Sequence, residues 1–373
     1  MNKPRLVKTN VILFALTALV SMTLVPLEAF SNGFDWVEIS SFILLTGFAG
    51  MSITAGYHRL WSHKTYDAHI LIRAIWAIGG AFALQNSILH WASDHRVHHK
   101  HVDDNDKDPY SAKKGFWYSH IGWMLREYQA NRYHDYSNCR DLQKDPVVMW
   151  QHKYYLVLAL ATNLGIPIAL GWLNGDIWGM FLLAGVLRLV ISHHVTFFIN
   201  SLAHIWGKQT YTDRNSARDN GLLALITYGE GYHNFHHIFE YDYRNGVRWW
   251  HFDPTKWLIF SMSLVGLTNN LRRCPEERIA KARITMQLQH SQRRLAHLPN
   301  AEELLNKFQH EYDVLMHKMA EYYATKKRLM EIRKRKLIRG YEKLELDFKY
   351  QELKMHLQLQ KQKWTKLNAM QFA

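Results

Sequence analysis

Four apolar runs dominate the pattern of the chain, at about residues 10–30, 36–56, 154–173 and 177–199. Each is close to the ~20 residues that a helix needs to cross a bilayer. They pair as two hairpins, because the connections 31–35 and 174–176 are short. Neither connection contains Lys or Arg, whereas the N-terminus, the central region and the C-terminal half are rich in both. The positive-inside rule then places both short loops outside and everything else in the cytosol. Lys3, Arg5 and Lys8 precede the first run as they would in a signal peptide. That run is long, lacks a small-residue cleavage site and is followed at once by another span, so it reads as a retained first helix.

The pattern changes after Leu271. From about Ala301 onward there is no proline and one glycine, Gly340. Leu305, Phe308, Tyr312, Leu315, Met319, Tyr322 and Leu329 follow a three–four spacing, and Met330, Leu337, Tyr341, Leu344 and Phe348 resume it with a one-residue shift. Long amphipathic helices are expected, pairing as a coiled coil within the chain or between subunits of a homo-oligomer. Residues 272–373 hold 23 Lys/Arg against 12 Asp/Glu, which is +11 of the formal +14. The basic balance therefore describes this extension and not the apolar part. Its run Arg333-Lys-Arg-Lys336 suits anionic headgroups or a solvated helix face, and no nucleic-acid partner is expected. Cys139 and Cys274 form no zinc or redox motif, exclude a disulfide framework, and read as reduced thiols.

Against this background stand three histidine clusters: His58-Arg-Leu-Trp-Ser-His63, His95-Arg-Val-His98-His99 and His233-Asn-Phe-His236-His237. Imidazole-rich sites suit iron, zinc, copper or nickel, and eight histidines exceed what one metal uses. His95, His98 and His99 share one face of a helix through i, i+3, i+4 spacing, and the third cluster repeats that spacing. His58 and His63 lie just past the second span. His204, five residues beyond the fourth span and preceded by Asn200, is a ninth candidate. A structural zinc site is disfavoured, since such sites close with four ligands and favour cysteine. His69, His90, His101, His120, His134, His152, His193, His194 and His251 read as ordinary polar residues.

The apolar stretch 70–91 tempts a fifth span, but Arg73 and Gln85 interrupt it. A crossing there would leave His58 and His63 on the opposite membrane face from His95. It is therefore expected to lie at the cytosolic interface or to pack inside a cytosolic cap. The architecture predicted is an all-α integral membrane protein with four transmembrane helices in two hairpins. Residues 57–153 and 200–271 form a helical cytosolic cap holding the metals, within a membrane domain of residues 1–271. Residues 272–373 form a basic, helical, coiled-coil-like extension. Both termini and the active site face the cytosol, and in a bacterium the membrane is the inner one.

The ordered set of motifs resembles the acyl-CoA desaturases of the stearoyl-CoA desaturase type. The resemblance rests on the three clusters together with Phe82-Ala-Leu-Gln85-Asn86, Trp91-Ala-Ser-Asp94, Gly115-Phe-Trp-Tyr-Ser-His-Ile-Gly-Trp, Asn200-Ser-Leu-Ala-His204 and Gly229-Glu-Gly-Tyr. It covers roughly residues 56–271 and leaves the extension unexplained. It implies two irons held by His58, His63, His95, His98, His99, His204, His233, His236 and His237, with Asn200 reaching one iron through water. It also implies a kinked acyl tunnel, with Gln85, Asn86, Trp91, Thr196 and Phe197 at substrate-binding positions. Phe197 departs from the tryptophan often found there. Thr46 and Gly50, about three and two helical turns before His58, are expected at the far end of the tunnel, although Gly50 equally suits a helix-packing contact. Asp94 is a candidate to orient a ligand imidazole or to pair with an arginine, and the acidic run 103–108 reads as a solvated loop.

The implied reaction is O2-dependent desaturation of a long-chain saturated acyl-CoA, near the middle of a palmitoyl or stearoyl chain. Paired iron can supply the oxidant that side chains cannot. The protein's tasks are to hold the right methylene and to exclude water. The chain has no haem-attachment, dinucleotide or iron–sulfur motif, so its electrons are expected from a ferredoxin-type or b-type cytochrome partner with its reductase. Cationic residues on the cap suit CoA phosphates and an acidic donor. The competing readings are a membrane di-iron lipid hydroxylase, a desaturase acting on phospholipid acyl chains, and a non-enzymatic metal-binding scaffold.

Overall fold

The computed structural model describes residues 4–129, 134–297, 301–335 and 340–369, which fall into two compact units. The first comprises residues 1–209 and 214–273. Its helices are α1 (Lys8–Ser31), α2 (Trp36–Ser62), α3 (Ile70–Phe82), α4 (Ile88–His101), α5 (Pro146–Asn174), α6 (Ile177–Ile205), α7 (Gly221–Ile226), α8 (His233–Ile238) and α9 (Pro254–Leu264). The second contains α10 (Glu276–Leu295), α11 (Ala301–Arg335) and α12 (Gly340–Ala369).

Helices α1, α2, α5 and α6 are each long and apolar enough to cross a membrane. Local chemistry closes the two hairpins. Asp35 accepts from Glu38 N and the Glu38 carboxylate accepts from Asp35 N, both at 2.8 Å, which starts α2 with a reciprocal cap. Gly175, at φ +87°, ends α5 in the left-handed region, and Asp176 then caps α6 through Gly179 N. The other three long helices all pack against α6. Few residues of α1 are fully buried, and its outer face presents Ile12, Leu16, Leu19 and Met22, an apolar surface that only lipid suits.

Each span runs past its apolar stretch. α2 continues beyond residue 56 to Ser62, α5 begins at Pro146 and not near residue 154, and α6 continues to Ile205. Main-chain hydrogen bonding carries a helix through polar residues, so the end of an apolar run does not mark the end of the helix. His58 therefore lies inside α2, not beyond it. The stretch Ser52–Ser62 is moreover a π-helix, and His63 N donates to His58 O at 3.0 Å. Residues five apart lie ~140° round an α-helix, whereas the i→i+5 turn brings His58 and His63 toward one face.

α3 packs against this π-helical stretch and against α5. Ile72, Trp76, Ala77 and residues 79–82 are buried, while Ile70 and Leu71 at its start are exposed. A Cβ at Gly80 would sit 2.0 Å from the Tyr57 ring, so glycine permits this close approach. The turn after α3 places Leu84 and Asn86 at positive φ and leads to Ser87, which caps α4. The segment before α1 joins the cap, with Val7 N donating to Leu125 O and Glu127 N to Arg5 O. The N-terminus and the cap thus share one end of the bundle.

In the second unit α11 packs against both α10 and α12 around Ile284, Leu288, Phe308, Leu315, Met319, Leu357 and Trp364. The first predicted stripe, from Leu305 to Tyr322, faces this core, so the helices pair within the chain. The second does not: Met330, Leu344 and Phe348 are exposed, and α12 uses Leu357, Trp364 and Leu367 instead. In α12 the core positions thus fall toward its C-terminal end, and a stripe continued from α11 does not find them. The Arg333–Lys336 run, Leu337 and Tyr341 lie outside the described side chains.

Candidate metal centre

α2, α4, α6 and α8 bring nine histidines into one chamber. His58, His63, His95, His99 and His236 form one group, and His98, His204, His233 and His237 form a second. Within each group one nitrogen per ring lies within 4.8 Å of all the others. α4 splits its own cluster: one turn presents His95 and His99 to the first group and His98 to the second. α8 divides likewise, sending His236 to the first and His237 and His233 to the second. None of the histidines read as ordinary joins either group among the described residues.

The converging atoms are Nε2. His58 and His236 Nε2 lie 3.0 Å apart, as do His236 and His99, and His63 and His95 lie 2.9 Å apart. In the second group His237 Nε2 lies 3.3 Å from His98 and 3.1 Å from His233, which is 3.1 Å from His204. The opposite ring nitrogens fix the tautomers. His58 Nδ1 meets Glu230 at 3.0 Å, His98 Nδ1 meets Asp108 at 2.8 Å, and His99 Nδ1 meets Glu240 at 2.9 Å. Carboxylates only accept, so each Nδ1 carries the proton and each Nε2 points a lone pair inward. Ser216 bonds to Asp103 at 2.5 Å and to His204 Nδ1 at 2.8 Å, which orients His204 in the same sense.

His58 and His99 thus both direct lone pairs at His236, which can carry only one proton there. Such crowding of acceptors in a buried chamber is stable only around a cation, so the donor set fits metal. Burial, reinforced by the neighbouring histidines, holds His63, His95, His233, His236 and His237 well below the usual imidazole range. Burial also lowers His99, to about 4, against the opposing pull of Glu240. All six are neutral at physiological pH, as ligands must be.

Beneath the first group lies a buried ionic network. Arg59 donates to Glu230 at 2.9 Å, to Asp253 at 3.2 Å and to Tyr243 O at 2.8 Å. Asn245 Nδ2 donates to the second Glu230 oxygen at 2.6 Å. Trp91 stacks on His95 with ring centres 4.8 Å apart.

Pairing of this kind was not legible in the sequence. Glu230, Glu240, Asp108 and Ser216 carry no signal beyond proximity to a cluster. The run 103–108, expected to be a solvated loop, contains Asp108, which is fully buried, and Asp103, which holds Ser216. Asp94 lies 3.5 Å from His90 Nε2. Asn200 ends the regular helical stretch of α6 and lies four residues before His204, across a turn at Ser201.

A cavity beside α2 and α6 is lined by Thr46, Gly50, Gln85 and Thr196, with Gln85 Nε2 donating to Thr196 Oγ1 at 2.9 Å. Phe197 is buried against His193 and Phe14, and Asn86 bonds to Tyr57 and Tyr155, so neither lines this cavity.

The chain matches the fatty acid desaturase family model over residues 35–263, which include all nine histidines. It belongs to the fatty acid desaturase family. A probable acyl-CoA desaturase of Schizosaccharomyces pombe is 48% identical over 240 residues, covering 64% of this chain and 50% of the yeast protein. The chain thus spans about half the length of that relative. Stearoyl-CoA desaturase 5 of Bos taurus is 37% identical over 274 residues, covering 72% of this chain and 79% of the bovine one. An sn-2 palmitoyl-lipid 9-desaturase of Nostoc is 36% identical over 250 residues, covering 65% and 85%. The fatty acid desaturase match stops before α10, so α10, α11 and α12 lie outside it.

Proposed function

We propose that the protein desaturates a long-chain saturated acyl-CoA to a cis-monounsaturated product, with the double bond near the middle of a palmitoyl or stearoyl chain. The observation that carries this reading is the pair of inward-facing Nε2 groups, five and four, within a fatty acid desaturase domain. The two groups would hold one iron each, with Asn200 reaching one of them through water. When bound, iron would supply the oxidising power: the two hydrogens that leave adjacent methylenes join O2, two electrons and two protons to give two waters.

The remaining work belongs to the protein. Glu230, Asp108, Glu240 and Ser216 hold the imidazoles in the tautomer that presents Nε2. The cavity walls exclude water and orient the acyl chain, and Gln85, bonded to Thr196, fixes the wall where the chain must bend. Electrons come from a separate ferredoxin-type or b-type cytochrome donor. The cap faces the cytosol, because the Lys and Arg residues accompany it and the two short loops at the other end have none.

Expression of the full chain in a host lacking unsaturated fatty acids, with products mapped by mass spectrometry, tests this. Products two hydrogens lighter, in the acyl-CoA pool before phospholipid, support it. Products one oxygen heavier mean hydroxylation, and first appearance in phospholipid favours the acyl-lipid carrier that the Nostoc relative's name specifies.

A further inference from the structure

The apolar cavity has one wall that comes neither from the spans nor from the turn after α3. It is Thr227 and Tyr228, between α7 and α8, and Tyr228, five residues before His233, supplies the ring. Tyr228 has φ +55°, a left-handed conformation that residues with a Cβ adopt rarely. Gly229 follows at φ +100°, and Tyr228 O accepts from Thr255 Oγ1 at 2.9 Å. This backbone aims the phenol ring onto α2. A Cβ at Gly50 would meet Tyr228 Cε2 at 2.1 Å, so the ring fills the notch that glycine leaves. The hydroxyl reaches one turn further and donates to Thr46 O at 3.2 Å. The ring therefore lies along the cavity from Gly50 to Thr46, the end of the α2 lining farthest from His58.

We infer that Tyr228 is the stop that sets how long an acyl tail the cavity accepts. The inference rests on the desaturase reading and adds to it the residue that selects chain length. An apolar pocket distinguishes homologous chains only by the methylenes it can house, and one methylene changes specificity about 10–200-fold. The stop is a side chain hinged on the cap and not helix backbone, so its size can change without rebuilding the bundle. Its distance from the metal chamber is held by the short link to His233.

The test uses the full chain in a host without its own unsaturated fatty acids, supplied with saturated acids of graded length. Tyr228→Ala is expected to raise the ratio of longer to shorter unsaturated products about tenfold or more. Tyr228→Trp should lower it, and Tyr228→Phe, which keeps the ring, should leave it near wild type. The double bond should keep its position counted from the thioester in every variant, because Gln85, Thr196 and the histidines are untouched. An unchanged ratio in Tyr228→Ala overturns the inference and leaves the desaturase reading intact. Should Tyr228→Ala fail to accumulate, an unchanged ratio in Tyr228→Leu and Tyr228→Trp overturns it equally. Absence of unsaturated product from wild type removes the desaturase reading and the inference with it.

Discussion

Asp108→Asn isolates what a buried carboxylate contributes to the chamber. Asp108 Oδ1 takes the His98 Nδ1 proton at 2.8 Å and the Tyr110 N–H at 3.1 Å, while Oδ2 takes the Asp103 N–H at 3.1 Å. Asparagine keeps the shape but turns one acceptor into an NH2 group. In one orientation that group faces the donors on His98 and Tyr110; in the other it faces Asp103 N–H. Leaving a buried donor unsatisfied costs about 1–3 kcal/mol, which is roughly a tenfold to hundredfold change at 1.4 kcal/mol per decade. Loss of outer partners of metal-bound histidines weakens metal binding by a similar factor, about 10–100-fold. Either orientation acts on the four-histidine group, directly at His98 or through Asp103 and Ser216 at His204. The five-histidine group has its own carboxylates and should be spared. Metal per chain would be measured on purified protein titrated with a chelator. One of two metals should leave at about 10–100-fold lower chelator concentration than in wild type, with desaturation lost in step. Release of both metals together, or no earlier release of either, refutes the reasoning.

Three further outcomes are expected. Arg59→Met leaves Glu230 and Asp253 buried without their cation and should destabilise the protein by about 3–5 kcal/mol, read as a lower thermal midpoint in detergent. Lowering pH should destabilise the metal-free protein between about 6.5 and 4: an unfolded chain takes up protons in that window while His99, at about 4, does not. Thermal midpoints should therefore be insensitive to these groups above pH 6.5 and fall below it, and a midpoint that rises on acidification contradicts the neutral-imidazole arrangement. Gly50→Trp must displace the Tyr228 ring, and the expected result is a shorter preferred acyl chain together with about 1–3 kcal/mol of overpacking cost. Product-length profiles and membrane abundance separate the two effects.

The linear pattern of residues determined the class of the molecule. Runs of ~20 apolar residues allow few structures other than membrane helices, and clustered imidazoles serve few purposes other than metal. Both signals are local, so they survive in a one-dimensional reading, and all nine histidines lie in the chamber. What reached beyond local spacing needed the fold. That His98 parts from His95 and His99, and that a π-helical turn rather than an exit from α2 presents His58 and His63, depend on how four helices meet. Asp108 illustrates the reason: in sequence it is one acid among several in a hydrophilic run, and only the folding of that run back onto α4 makes it the buried acceptor for His98. Tyr228 shows the same for the cavity, because its ring meets Gly50 across nearly half the chain. Periodicity along a chain reports which face of an element is apolar; which partners that face will meet is set by packing between segments that no short-range pattern connects.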